Sequence, residues 1–209
     1  MITKRNDVLS KKIIQNLKNR HMHGYYVHTK EEALDLALSL IEPSSSVGWG
    51  GSDTLNAIGI KEKLYALDYK VLDRDQVKDA KEKYEIERQC FYADYYLMST
   101  NAITEDGILV NMDGHCNRVS CLCFGPSHVI LIAGMNKVTK DLEAAISRLR
   151  NVAAPINNQR FPGDRPCQKT GSCANCLAPG CICDQLVITR NSLEEDRIHV
   201  ILVDENLGY

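Results

Sequence analysis

No stretch of this sequence is apolar for long enough to cross a membrane. Residues 1–7 lack the apolar core of a secretory signal. A cytoplasmic protein with no membrane partner is the expectation. A surplus of one charge is missing too. The 25 Lys and Arg against 27 Asp and Glu leave a formal net charge of −2, which gives no reason to expect nucleic acid as a partner. The one basic stretch, Lys11, Lys12, Lys18 and Arg20, alternates with apolar residues like the wet side of a helix. No repeat or low-complexity tract breaks the chain. With 44% hydrophobic and 25% charged residues it has a globular profile, and 209 residues fit a single domain spanning 1–209.

Strand and helix patterns alternate along most of the chain. Residues 4–20 carry Val8, Leu9, Ile13, Ile14 and Leu17 at helical spacing, and Gly24 is expected to stop that helix. A short strand at 25–27 precedes a helix opened by a Thr29/Glu32 capping box and ended by Pro43. Residues 47–49 read as a buried strand running into Gly50-Gly51-Ser52. A helix from Asp53 to Ala66, broken at Gly59, comes next. Strands are expected at 69–72, 95–100, 107–111, 128–133, 186–189 and 199–203. Helices are expected at 75–91, 117–124 and 139–154, the last capped by Thr139 and closed by Pro155. Glu105-Asp106-Gly107 suggests a hairpin joining strands 95–100 and 107–111. The alternation predicts an α/β fold, a mostly parallel sheet with helices on both faces, plus an aperiodic cysteine-rich loop at 155–185.

Chemistry can sit in three places. Gly50, Gly51, Ser52 and Thr54 follow a strand and open a helix, where backbone N–H groups and hydroxyls favour an anion. No Lys follows as in a Walker A loop, and the full G-x-G-x-x-G is absent, so a plain tight turn is the competing reading. The second group is Asn101, Glu105, Asp106, Asn111, Asp113, His115, Asn117 and Arg118. Here His115 can move a proton, Asp113 can orient it, and Arg118 can clamp a carboxylate or phosphate. An ordinary Asp113-Gly114 turn explains the same residues. The third is Cys167, Cys173, Cys176, Cys181 and Cys183, spaced C-x5-C-x2-C-x4-C-x-C among prolines and glycines. A metal ion or iron–sulfur cluster, free reactive thiols, or a disulfide would each account for it, and a reducing compartment disfavours the last. Cys90, Cys121 and Cys123 read as small hydrophobes.

Together these segments resemble the lactate-utilisation (LUD) domain family in its small single-domain form. The resemblance rests on Val47-Gly48-Trp49-Gly50-Gly51-Ser52, Asn101-Ala102-Ile103-Thr104, the run from Asp113 to Arg118, Thr170-Gly171, the cysteine tail and Asn206-Leu207-Gly208-Tyr209. It implies a fold similar to sugar-phosphate isomerases and CoA-transferases, and a small anionic metabolite of the lactate type as ligand. It also implies iron–sulfur oxidoreductase partner proteins. The cysteine-tailed form carries Arg where this chain has Cys181. The resemblance therefore implies Cys167, Cys173, Cys176 and Cys183 as ligands of zinc or an iron–sulfur cluster. Self-association is left open.

Overall fold

Alternating burial along the strands gives the main sheet two apolar faces. In the computed structural model, which describes residues 1–209, Ile130 and Ile132 face one side of their strand and Val129 and Leu131 the other, all fully buried. A strand covered on both faces reads as a continuous apolar run.

The first half of the chain builds α1 (Ile2–Lys18), β1 (His23–Val27), α2 (Lys30–Ser39), β2 (Ser46–Trp49), α3 (Asp53–Ile58), α4 (Ile60–Ala66), β3 (Lys70–Leu72), α5 (Ala80–Gln89) and β4 (Tyr95–Met98). The second half adds β5 (Ala102–Thr104), β6 (Leu109–Asp113), α6 (Asn117–Cys123), β7 (His128–Gly134), β8 (Val138–Thr139) and α7 (Leu142–Arg148). It ends with α8 (Ala154–Asn158), α9 (Pro166–Thr170), β9 (Gln185–Thr189) and β10 (Ile198–Val203). Six strands form an all-parallel sheet in the order β1-β10-β7-β4-β2-β3. Helices α2, α3 and α4 cover one face through Ala33, Leu55, Ile60 and Leu64. Helices α1 and α6 cover the other through Ile13, Leu17, Cys121 and Leu122. The expected α/β architecture is what forms.

Several local expectations give way. Helix α1 ends at Lys18, and Gly24 lies inside β1. The hairpin does not use residues 95–100. That segment is a central parallel strand, while β5 pairs antiparallel with β6 in a second, four-stranded sheet, β8-β5-β6-β9. Asn101 carries the chain from one sheet to the other. Asp141, not Thr139, caps α7, its carboxylate accepting the Ala144 N–H at 2.9 Å. Pro155 does not end that helix either. A π-helical turn, Leu149–Ala153, leads directly into α8, which contains the proline. Proline lacks an N–H and crowds the carbonyl four residues back, and a wider π turn relieves both faults without stopping the helix.

The topology also places the site. From β2 the chain runs outward to β3 by helices on one face. From β4, the neighbour of β2 on its other side, it leaves through the second sheet and α6 on the opposite face. Diverging connections open a crevice at the carboxyl ends of two adjacent parallel strands, where α/β sheets hold ligands.

Candidate active site

The crevice is a cavity of about 600 Å³, lined by Gly51, Ser52 and Thr54 after β2, Arg74 after β3, Ser99 and Asn101 after β4, and Lys137 after β7. Asp113, His115, Asn117 and Arg118 form another wall. The two polar segments singled out in the sequence therefore meet across one cavity, although Gly50, Glu105, Asp106 and Asn111 do not line it. Gly50 stands behind it. A Cβ there would lie 3.0 Å from Arg118 Cγ and 3.1 Å from the Tyr96 hydroxyl, so the glycine makes room for the arginine stem. Asp106 is not at the site. It sits in the β5–β6 turn, bound to the Thr104 hydroxyl and paired with Arg20 at 2.8 Å.

The helix start is less exposed to a ligand than its glycines suggest. Ser52 is the N-cap of α3 and accepts the Leu55 N–H at 3.3 Å. Asp53, the first helical residue, is paired with Arg160 at 3.1 Å, which offsets its repulsion of an anion.

Arg118 has a different task from the one its sequence suggests. Nη1 donates to the Ser99 carbonyl (3.0 Å) and to Asn111 Oδ1 (2.6 Å), and Nη2 to Asn101 Oδ1 and the Met112 carbonyl (3.0 Å each). Nε faces the Asp113 carboxylate at 3.3 Å. A guanidinium has five N–H groups, and these contacts occupy all its nitrogens. Arg118 ties the carboxyl end of β4 to β6, and no fork is left for a ligand. Asp113 accordingly does not orient His115. That role falls to Glu87 on α5, whose carboxylate meets His115 Nε2 at 3.0 Å, accepts from Asn117 at 3.1 Å, and is also paired with Arg74.

Lys137 is the residue that the sequence reading passed over. It is 3% exposed, and Nζ lies 2.9 Å from Ser99 Oγ and 3.2 Å from Thr54 Oγ1. Burial above all, then the Arg148 and Arg118 guanidiniums, bring its pKa down to about 7, with Asp53 pulling weakly the other way. Its one sequence signal is position, just past the carboxyl end of the most apolar strand. Arg74 was missed too. Nη1 is taken by Glu87, while Nη2 stands 3.4 Å from the place a Cβ on Gly51 would occupy.

Residues 207–209 fold over this lysine. Asn136 accepts the Leu207 N–H at 3.1 Å and donates to the Gly208 carbonyl at 3.3 Å. Gly208 has φ +61°, and a Cβ there would come within 2.8 Å of Thr54 Oγ1 and 3.2 Å of Lys137 Nζ. Gly208→Ala is expected to cost about 1–2 kcal/mol in backbone strain and to displace the lysine. Chemical denaturation, followed by titration with whichever ligand the parent binds, checks both effects.

The cysteine loop packs against the same wall. The Asp184 N–H donates to the Asp113 carbonyl at 3.1 Å, and Gly114 lets the Ile182 backbone approach to where a Cβ would be 2.8 Å from its Cα. All nine cysteines are free thiols, and no three Cys, His, Asp or Glu side chains are placed to share an ion. Three of the tail sulfurs accept a hydrogen bond from a local donor. Cys167 is buried and takes a hydrogen bond from Asn158 (3.0 Å), Cys173 takes one from the Asn175 N–H (3.4 Å), and Cys181 takes one from the Cys183 N–H (3.4 Å). Burial first, then the neighbouring Cys181, Cys167 and Cys173, push the Cys183 thiol up to about 12. As arranged, Cys167, Cys173, Cys176 and Cys183 do not fit a closed four-thiolate site. Elsewhere, Cys90 and Cys121 are core residues as expected, whereas Cys123, two positions further round α6, is exposed.

The family model described as "LUD domain" matches residues 10–203. The chain belongs to the LUD domain family. No curated protein matches it. Among solved structures, a DUF162 family protein from Deinococcus radiodurans is similar in fold, with TM-score 0.52 at 12% identity over 94% of this chain and 97% of that one. A partial likeness to eIF2B beta from Chaetomium thermophilum, with TM-score 0.40 and 15% identity over 57% of this LUD domain and 42% of that chain, is too low to bear on fold or function.

Proposed function

We propose that this LUD domain binds a small carboxylate of the lactate type in the cavity between β2 and β4 and acts in its metabolism. The observation that carries the reading is Lys137, a lysine buried at the base of a polar cavity with hydroxyls as its only partners. Such a group is costly to keep unless a ligand uses it. A bound carboxylate would complete the missing ion pair. Arg74, with Nη2 turned toward Gly51, supports this as the guanidinium that grips the acid, in place of Arg118. His115, steadied by Glu87 at 3.0 Å, is the group best placed to exchange protons with solvent.

Calorimetric titration of the full chain with lactate, pyruvate, glycolate and a sugar phosphate tests the proposal. A dissociation constant in the micromolar to low-millimolar range for one of the acids is expected. It should weaken by about tenfold or more in Arg74→Ala, the effect of losing one charge-assisted contact. Absence of binding by the whole panel would remove the reading. The free thiols crowded into the tail favour a redox-responsive accessory role as the second reading. Iron–sulfur partner proteins would then dock beside the cysteine loop, and alkylation rates that change with such a partner present would support it.

A further inference from the structure

We propose that Lys137 is a covalent anchor, its amine condensing with the carbonyl of a small 2-oxo acid to form an imine within the cavity. This rests on the reading that the cavity takes a small carboxylate, and it narrows the ligand to acids with an adjacent carbonyl.

Three features of the geometry converge on it. First, Nζ reaches the cavity, yet no carboxylate stands within 4.0 Å of it, because the nearest acid on α3, Asp53, is paired with Arg160. Second, two fixed guanidiniums flank the amine. Arg118 is held as described, and Arg148 donates to the Asn101 carbonyl at 2.6 Å and the Asn136 carbonyl at 3.2 Å. Neither can swing away, so the ammonium form meets standing repulsion at a buried position. Desolvation and neighbouring cations are the means by which a lysine becomes nucleophilic near neutral pH. Third, the partners of Nζ are the hydroxyls of Ser99 and Thr54. These hold the amine in place without protonating it, as a carboxylic acid would, and can pass hydrogen bonds to a developing alkoxide.

The step balances without any outside oxidant or reductant. The Nζ lone pair forms the C–N bond, and the carbonyl π pair moves to oxygen, which takes the proton that the new ammonium nitrogen sheds. The resulting carbinolamine oxygen takes a second proton from solvent and leaves as water while the nitrogen lone pair closes the C=N bond, leaving a protonated imine. Arg74 would hold the carboxylate beside the carbonyl, which distinguishes a 2-oxo acid from a simple aldehyde.

The test is reductive trapping. The full chain is incubated with pyruvate and cyanoborohydride, then examined by intact mass and peptide mapping. One reduced pyruvate on Lys137 is expected. Labelling should exceed that of exposed lysines by on the order of a hundredfold, because an ordinary lysine is almost wholly protonated at neutral pH. Lactate, with no carbonyl, should leave no adduct. Lys137→Met should lose the adduct, and if that variant does not fold, the mapped position in the parent decides. Pyruvate that binds by calorimetry but is not trapped at Lys137 overturns the imine while leaving the carboxylate pocket standing. Failure of every acid to bind, with no trapping, overturns both.

Discussion

Replacing Arg118 with alanine is expected to cost about 3–5 kcal/mol of folding stability, the scale of breaking a buried ion pair. Its side chain is only 12% exposed, and that of Asp113 10%. The variant would take the guanidinium from Asp113, Asn101 and Asn111, leaving each only one backbone N–H, and a donor from the Ser99 and Met112 carbonyls, with little water to replace them. Arg118→Lys should recover only a minor part. An ammonium offers three donors from one point, whereas the contacts here spread over Nε, Nη1 and Nη2. Urea denaturation reads the effect as a lowered midpoint with an unchanged slope. A ligand clamp would behave in the opposite way, losing affinity at nearly constant stability. A stability loss below about 1 kcal/mol would show that the network is not structural.

Lys137→Met should have the converse profile. Ligand binding should fall by about a hundredfold or more, since an unpaired charged contact in a desolvated site is worth roughly 3 kcal/mol. Stability should rise by about 1–3 kcal/mol near neutral pH, because a buried cation is removed. The gain is trimmed by the partners that Thr54 and Ser99 lose. The pH dependence has a definite sign. The folded pKa of about 7 lies below the ordinary 10.5. Below about pH 7 the amine is charged in both states, and its burial opposes folding in full. Between about 7 and 10.5 the unfolded chain holds the proton that the folded chain has shed, so stability rises with pH. Arg148, Arg118 and Asp53 are the charges that face it, and both guanidiniums stay protonated throughout that range. Thermal melts across this window should show the variant's advantage shrinking as pH rises. An advantage that stays level would place the lysine's pKa elsewhere.

Much of the fold could be read from the residues. The apolar run at 128–133 and the Gly59 break between α3 and α4 are local signals, and both stand where they were expected. Pairing was harder to see. Residues 95–98 and 109–113 are close in sequence and separated by an Asp-Gly turn, but Asn101, locked by Arg118 and Arg148, sends them to different sheets. Nothing near Asn101 announces arginines 17 and 47 positions away. The site was half legible for the same reason. Polar clusters such as Asp113, His115 and Arg118 mark a wall of the cavity, but roles depend on partners remote in sequence. Glu87 on α5 takes the place given to Asp113, and Arg20, just past the end of α1, draws Asp106 away. Lys137 looks unremarkable beside Met135 and Asn136, and only the crossing of strands puts it under the glycine turn. For the cysteines, nearness along the chain puts Cys181, Cys167 and Cys173 close enough to act on the Cys183 thiol, but no three side chains are placed to share an ion.

The strand order has a consequence for the timing of assembly. Strand β10 is hydrogen-bonded to both β1 and β7 in the interior of the sheet. As the chain leaves the ribosome, β1 and its helix emerge well before β10, and β1 has no strand partner until residues 198–203 follow. Until then the nascent protein exposes two unpaired strand edges with apolar faces, a state prone to aggregation. Residues 207–209, which cover Lys137, come just behind the strand that joins these edges. The reactive amine is thus covered only as the sheet is completed, and a chain stalled before β10 would present an open, sticky sheet rather than a weakly active pocket.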